Sequence, residues 1–394
     1  MKKNVKLELA SKEILPDVWM IGGYIANDFF RKPPSSNVYI LKDKNTIYIL
    51  DPGKYKCYKK KIIELVNMYK EKGVNKVVLL ITQGHFDHDT NNDVVLNTSL
   101  PWEFYLPEEE VPTMKSVDDF MKDIELLSKY ENVFQTMFPK SGLSAIFRGI
   151  AKISPNTAKT LLKLLIKVSM GTSNHLADKA IILKAAQRIK KDFGSVSLYG
   201  WELGRFFIVF DGAHSPGHIC IYDPINKLVL SGDTTVEVNP AFCYSSLNRL
   251  IDITGKFETM ADEGYIEYAA DSHRSNKYMS AFIKSFNTKA VNDIQLTEYA
   301  KTGVECKNLF HFFNEYYREM KREVILAHSK IGRATVGQIV DELLKSNNKY
   351  IKFKAALIFP QAPSRMDVLV VQTLIEEGAA PIKVGNKIFI DPVK

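Results

Sequence analysis

Two histidines and a carboxylate fall within four residues at His85-Phe86-Asp87-His88, just after the apolar run Val77-Val78-Leu79-Leu80-Ile81. Imidazole nitrogen and carboxylate oxygen are the donors that a borderline divalent cation takes. A strand that ends in a tight turn sends alternate side chains to one side, so His85, Asp87 and His88 can converge above its C-terminal end. Surface His and Asp are common in loops, and this cluster alone would mean little. Three more candidate ligands recur downstream, each after a strand-like run. His218 closes Gly212-Ala213-His214-Ser215-Pro216-Gly217-His218 after Phe206 to Phe210. Asp233 follows Leu228-Val229-Leu230, and His273 follows Tyr265-Ile266-Glu267-Tyr268.

This order closely resembles the metallo-β-lactamase superfamily, whose pattern runs His-x-His-x-Asp-His, then His, Asp and His. The segment Ser36-Asn37-Val38-Tyr39-Ile40-Leu41, followed by Ile49-Leu50-Asp51-Pro52-Gly53, is similar to that family's opening hairpin. The resemblance spans roughly residues 15 to 285, apart from one long insertion. It implies an α/β protein built as an αββα sandwich, and two divalent ions, zinc first, with manganese or iron as alternatives. Carried over residue by residue, one ion would be held by Gln83, His85 and His218. The other would be held by Asp87, His88 and His273, with Asp233 bridging both. His214 is not a ligand in this assignment and reads as a supporting residue.

One position departs from the family. Gln83 stands where the first histidine would be, and a carboxamide oxygen is a weaker, harder donor than imidazole. The site it serves is expected to bind less tightly or to favour a harder ion. Whether Gln83 ligates or only hydrogen-bonds beside the ions stays open at the level of sequence.

Strand-like runs at Val18 to Tyr24, Val38 to Leu41, Ile47 to Leu50, Val77 to Ile81, Phe206 to Phe210, Ile219 to Tyr222 and Leu228 to Leu230 predict two sheets. Helical patterns such as Tyr58 to Tyr69 fall between them and belong outside. From about 103 to 193 the pattern turns to helical periodicity, with helices expected over Val117 to Tyr130, Leu143 to Ile153, Ala158 to Met170 and Leu176 to Phe193. This insertion separates His88 from His218 by 130 residues. Leu161, Leu162, Leu164, Leu165, Ile166 and Val168 are too apolar to face water all round. They suit packing on the main domain, and a lid lining an acyl pocket is the sharper alternative. The metal-binding domain is thus expected over 1–305. Residues 306–394 read as a small winged-helix-like unit, with helices at Leu309 to Ser329, Thr335 to Ser346 and Met366 to Glu377. A hairpin turning at Gly385-Asn386 completes it. Its acidic residues Asp341, Glu342, Glu376 and Glu377 suit packing or homodimerisation better than nucleic acid.

Composition narrows the class. With 45% hydrophobic and 25% charged residues, the chain reads as globular. No apolar run approaches membrane-spanning length, the N-terminus lacks a signal-peptide core, and the four cysteines form no CxxC pair. A cytoplasmic location is expected. Net charge is +8, but residues 140–192 carry eleven basic and two acidic side chains, an excess of +9 that leaves the rest near −1. Such a block is a solvated face or an attractor for phosphate or an acidic carrier.

Two ions sharing a water lower its pKa towards neutrality, and Asp87 is placed to bind one ion and to orient that water or take its proton. Ser215 precedes a Pro-Gly turn rather than sitting in a GxSxG elbow, which excludes serine catalysis of that type. His175, His311 and His328 lie outside the motifs. The turn at Ser215 to Tyr222 is similar to that of glyoxalase II-like thioesterases. With the apolar insertion it points to hydrolysis of a thioester or other acyl ester, the acyl group delivered free, on coenzyme A or on a carrier protein. The alternatives are a phosphodiesterase acting on a phospholipid or RNA, an iron-dependent oxygenase, and a silent metal-binding sensor.

Overall fold

The computed structural model describes residues 11–23, 35–115, 118–131, 149–170, 174–273, 303–356, 365–385 and 387–392. Two sheets carry the architecture. The first runs β1 (Ser11–Leu15), β2 (Val18–Ile21), β3 (Val38–Asp43), β4 (Thr46–Leu50), β5 (Lys76–Leu80), β6 (Trp102–Pro107) and β7 (Ile181–Leu183), in that order across the sheet. It is antiparallel as far as β4 and parallel from β4 to β7. The second sheet runs β13 (Tyr268–Ala270), β12 (Leu228–Leu230), β11 (Ile219–Asp223), β10 (Phe206–Phe210), β9 (Val196–Leu203) and β8 (Ile189–Phe193). Its β12–β13 pair alone is parallel.

Strand alternation sorts the core into three layers. Tyr39, Leu41, Tyr48, Leu50, Val78 and Leu80 meet Phe206, Ile208, Ile219, Ile221, Leu228 and Leu230 between the sheets. The intervening residues Val38, Ile40, Ile47, Ile49, Val77 and Leu79 face α1 (Lys56–Glu71), which buries Tyr58, Ile62, Leu65, Val66 and Tyr69 at helical spacing. On the far side Phe207, Val209, Cys220, Tyr222 and Val229 pack under later helices. This is the expected αββα sandwich. The strand runs agree with the sequence reading, except that β2 ends at Ile21 before Gly22 and Gly23, β5 ends at Leu80, and Tyr24 lies outside the described residues.

The insertion differs from expectation. After α2 (Phe86–Asp89) and β6, its described helices are α3 (Val111–Lys115), α4 (Asp118–Ser128) and α5 (Pro155–Met170). The stretch Leu176 to Phe193 is not a helix. It forms a 3₁₀ turn at Asn174–Lys179, then β7 and β8, one at the edge of each sheet. Alanine and lysine favour a helix there, but pairing with β6 and β9 satisfies the backbone and overrides that local preference. Of the expected helix Leu143 to Ile153, only 149–153 is described, and it is helical. Leu162 is buried and Leu164 exposed, while the side chains of Leu165, Ile166 and Val168 lie outside the described residues.

The C-terminal helices pack on the apolar core of the second sheet. After α6 (Leu247–Asp262), capped by Ser246, comes α7 (Gly303–Ile331), which packs along it. Phe310, Phe313 and Tyr317 of α7 share one apolar cluster with Leu250 and Phe257 of α6 and with Phe207 of the second sheet. Then follow α8 (Val336–Leu343), with a Thr335/Gln338 capping box, and α9 (Lys349–Ala356), which the sequence reading missed. Last come α10 (Met366–Glu376) and the hairpin of β14 (Pro381–Val384) with β15 (Lys387–Ile390). No described helix is long and apolar enough to cross a membrane.

Candidate metal centre

Every candidate ligand sits on a loop or turn at the C-terminal end of a strand, where the sandwich holds loops rigidly. Beyond β5, Gln83 and His85 lie on the connecting turn. Asp87 and His88 then fall on the single helical turn α2, so a helix start, rather than strand alternation, brings them together. His214 and His218 lie between β10 and β11, Asp233 after β12, and His273 after β13.

Two clusters of these side chains meet at Asp233, and His218 lies in a third group with Asp211 and Cys220. One comprises Asp87, His88 and His273. His273 Nε2 lies 3.2 Å from Asp87 Oδ2 and 3.4 Å from Asp233 Oδ1, and His88 Nε2 is 3.3 Å from Asp233 Oδ2. The other comprises His85, His214 and Asp233, with His214 Nε2 at 3.3 Å from His85 Nδ1 and 3.4 Å from Asp233 Oδ2. All six are buried or nearly so.

One sequence-level expectation needs correction here. The structure brings His214, not His218, to His85 and the Asp233 carboxylate. His218 faces the other way: its Nδ1 bonds Asp211 at 2.8 Å, and its Nε2 accepts the backbone N–H of Asp233 at 3.0 Å. His218 thus fixes the turn that presents Asp233, where Gly232 at φ +54 passes so close that a Cβ would lie 2.4 Å from His218 Nε2. The two histidines four residues apart carry identical donors. Only the immediate start of β11 at Ile219, which seats His218 in the core, distinguishes them in the sequence.

Gln83 lies at the junction. Its Nε2 is 2.6 Å from Asp233 Oδ2 and 2.8 Å from His88 Nε2, while Oε1 is buried without a hydrogen-bond partner. Turned the other way, the amide would bring its oxygen against the Asp233 carboxylate, an arrangement that requires a cation between them. The donor set as a whole fits a cation. His88 Nε2 and His273 Nε2 face each other at 3.2 Å, where two lone pairs repel unless a proton or metal ion lies between.

Outer partners aim these rings, and the sequence reading named none of them as such. Asp51, in the left-handed region at φ +51, accepts from His88 Nδ1 at 2.9 Å and from Thr82 N and Oγ1 at 2.8 and 2.7 Å. Asn239 Oδ1 accepts from His214 Nδ1 at 2.6 Å. Each bond puts the proton on Nδ1 and leaves Nε2 free towards the centre. Tyr244 OH lies 3.0 Å from His85 Nε2, and its ring stacks on Phe242 at 4.9 Å. Outside the centre, His311 pairs with Glu258 and His328 with the Ile390 carbonyl.

Electrostatics divide the clusters. Burial, reinforced by the neighbouring imidazole, holds His85 well below the ordinary histidine range, and burial holds His214 down to about 4. Burial acts the same way on His88 and His273, but the carboxylates outweigh it. Asp233, Asp51 and Asp87 push His88 well up, and Asp233 with Asp87 push His273 up to about 10. Asp87 and Asp233 are held below the usual carboxylate range against burial by these histidines.

No protein-family model matches the chain, and no curated protein matches it. Solved structures do. A β-lactamase domain protein from Burkholderia ambifaria aligns over 98% of this chain and 93% of its own, with a TM-score of 0.56 at 12% identity. A metallo-β-lactamase family protein from Thermus thermophilus aligns over 96% of this chain and 100% of its own, with a TM-score of 0.54 at 12% identity. The chain has the metallo-β-lactamase fold. A stereoselective inverting sec-alkylsulfatase from Pseudomonas sp. matches over 93% of this chain but only 50% of its own, with a TM-score of 0.52 at 11% identity. The first two alignments run through the C-terminal helices as well as the sandwich.

Proposed function

We propose that this protein is a metal-dependent hydrolase whose centre takes two divalent ions, zinc first and manganese or iron as alternatives. The observation that carries the reading is the pair of His/carboxylate clusters meeting at Asp233. Asp87, His88 and His273 would hold one ion. His85, His214 and the Gln83 carboxamide would hold the other, with Asp233 shared between them. When bound, two such ions supply hydroxide at neutral pH and polarise the scissile oxygen.

The protein's own groups do the rest. Asp87, kept ionised by His88 and His273 against its burial, is placed to accept a hydrogen bond from water at the centre, and the same neighbours make it a weak base. Asp51 and Asn239 keep their histidines in one tautomer. The stacked Phe242 and Tyr244, half-buried beside His85, offer a flat apolar wall at 4.8 Å from the His85 ring. That wall, with the apolar insertion, favours a thioester or other acyl ester bearing an apolar group. Burying a leucine-sized group is worth roughly 1.5–3 kcal/mol, about ten- to a hundred-fold in preference.

Metal analysis of protein purified without added metal, followed by a screen of acyl-CoA thioesters, acyl esters, phosphodiesters and alkyl sulfates, tests the proposal. Acyl turnover that climbs with chain length and is lost on chelation is the expected result. Preference for phosphodiesters or sulfates would retain the hydrolase and overturn the acyl assignment, and protein that takes up no metal would overturn both.

A further inference from the structure

We infer that Glu110 is a positioning residue that holds the two ligand loops of the His85–His214 half together. The inference rests on the metal-centre reading above. Glu110 lies in the turn Glu108–Glu110, at the root of the insertion directly after β6. Its neighbours tie that root to the β7–β8 link: Glu108 accepts from Ala185 N at 3.0 Å, and Glu109 pairs with Arg188. Glu110 itself points inward and is fully buried.

Its two carboxylate oxygens reach both loops at once. Oε2 accepts the Gly84 N–H at 2.7 Å, between Gln83 and His85. Oε1 accepts the Ser215 hydroxyl at 2.6 Å and the Gly217 N–H at 2.8 Å, just after His214. Both loops close tightly on this side chain. A Cβ at Gly217 would lie 2.7 Å from Glu110 Cγ, and one at Gly84 would lie 3.1 Å from Glu110 Oε2. Glycine at both places permits the approach.

The placement is costly in isolation. A buried carboxylate without a lysine or arginine partner, and none is paired with Glu110 among the described residues, loses its hydration and recovers it only through bonds to donors. Here all three donors belong to segments that carry ligands of one half. Gly84 shares its segment with Asp87 and His88, but the other two bonds fall on the His214 loop, and none of the three reaches Asp87, His88 or His273 themselves. The effect of Glu110 is therefore directed at one half of the centre rather than at the sandwich in general.

Titration of the metal-free full chain with cobalt(II) alone, read by its visible absorption, and with zinc alone, read by calorimetry, tests this. His214→Ala identifies the phase belonging to the first half by removing it. Glu110→Gln keeps the size but turns an amide NH₂ towards a donor, and is expected to weaken that phase by about 10–100-fold while shifting its cobalt spectrum. The other phase should stay at its wild-type affinity. Ser215→Ala removes one donor only, and should weaken the same phase by a smaller factor. Equal weakening of both phases, or two phases identical to wild type, would overturn the positioning role. Should Glu110→Gln not fold, Ser215→Ala decides, since an unchanged cobalt spectrum in that variant also overturns it. Failure of the wild type to take up either metal would instead refute the metal-centre reading itself.

Discussion

His88 and His273 are braced by the neighbouring strands of the first sheet, whereas His85 and His214 depend on parts of the chain outside the sandwich. On the first side, Asp51 at the end of β4 fixes His88. Asn37 and Tyr39 of the opening hairpin bind the Asp271 carbonyl at 2.7 and 2.5 Å and so set the loop of His273. On the other side, Glu110 comes from the root of the insertion. Asn239, which aims His214, is bonded in turn by Tyr317 of α7 at 3.2 Å, and its carbonyl is bonded by Lys354 of α9 at 3.1 Å. Charge divides the halves in the same way. Burial favours the neutral form of His85 and His214, whereas the surrounding carboxylates favour the protonated form of His88 and His273. One half is set by the sheet framework, and the other can be tuned from the insertion and the C-terminal helices.

The strongest challenge to this division is to remove what the halves share. Asp233→Ala should strip metal from both and reduce hydrolysis to background. Elemental analysis showing full metal in that variant would mean that Asp233 bridges nothing. Next in size, Asp51→Asn should weaken metal binding in the Asp87–His88–His273 half alone by about 10–100-fold, because His88 loses the carboxylate that fixes its tautomer. Calorimetric titration separates the halves, and a loss in both phases would erase the distinction between them.

Gln83→His sharpens the comparison from the other side. Imidazole is the better zinc donor, so zinc affinity should rise in the His85–His214 half and stay constant in its partner. Equal and stoichiometric zinc in both halves of the wild type would remove the reason for that gain.

The smallest effect concerns Lys354, which burial, with Arg365 nearby, lowers from 10.5 to about 7. Between those values the unfolded chain binds the extra proton and the folded chain does not, so this group makes stability rise with pH across that window and leaves it flat below about 7. The wild type should therefore gain on Lys354→Met as pH climbs from about 7 to 10, read from urea midpoints at each pH. Parallel pH profiles would show that Lys354 is charged in the fold.

The sequence made the ligand motifs and most strands legible because both are local. Alternation at Val38 to Leu41 and Phe206 to Phe210 records burial on two faces, and His85, Asp87, His88, Asp233 and His273 gather near one another. Gln83 also reaches the junction, with its amide nitrogen inward. The exchange of His218 for His214 was not legible, because two histidines on one turn offer the same nitrogen, and only the loop's path past Gly232 and Asp211 decides which of them points inward. The false helix at Leu176 to Phe193 has a similar origin, since its edge pairings lie with strands distant in sequence.

Local pattern along the chain is enough to place donor types at strand ends, sheets with two apolar faces, and an amide where an imidazole would bind zinc better. Long-range packing sets which imidazole lies beside Asp233 and brings Glu110 to Gly84, Asn239 to His214 and Lys354 to the Asn239 carbonyl. Hydrophobic alternation is written along the chain, residue by residue. A hydrogen bond from Asn239 to Tyr317 spans 78 residues, and it exists only once apolar burial has folded α7 back against the second sheet's helix.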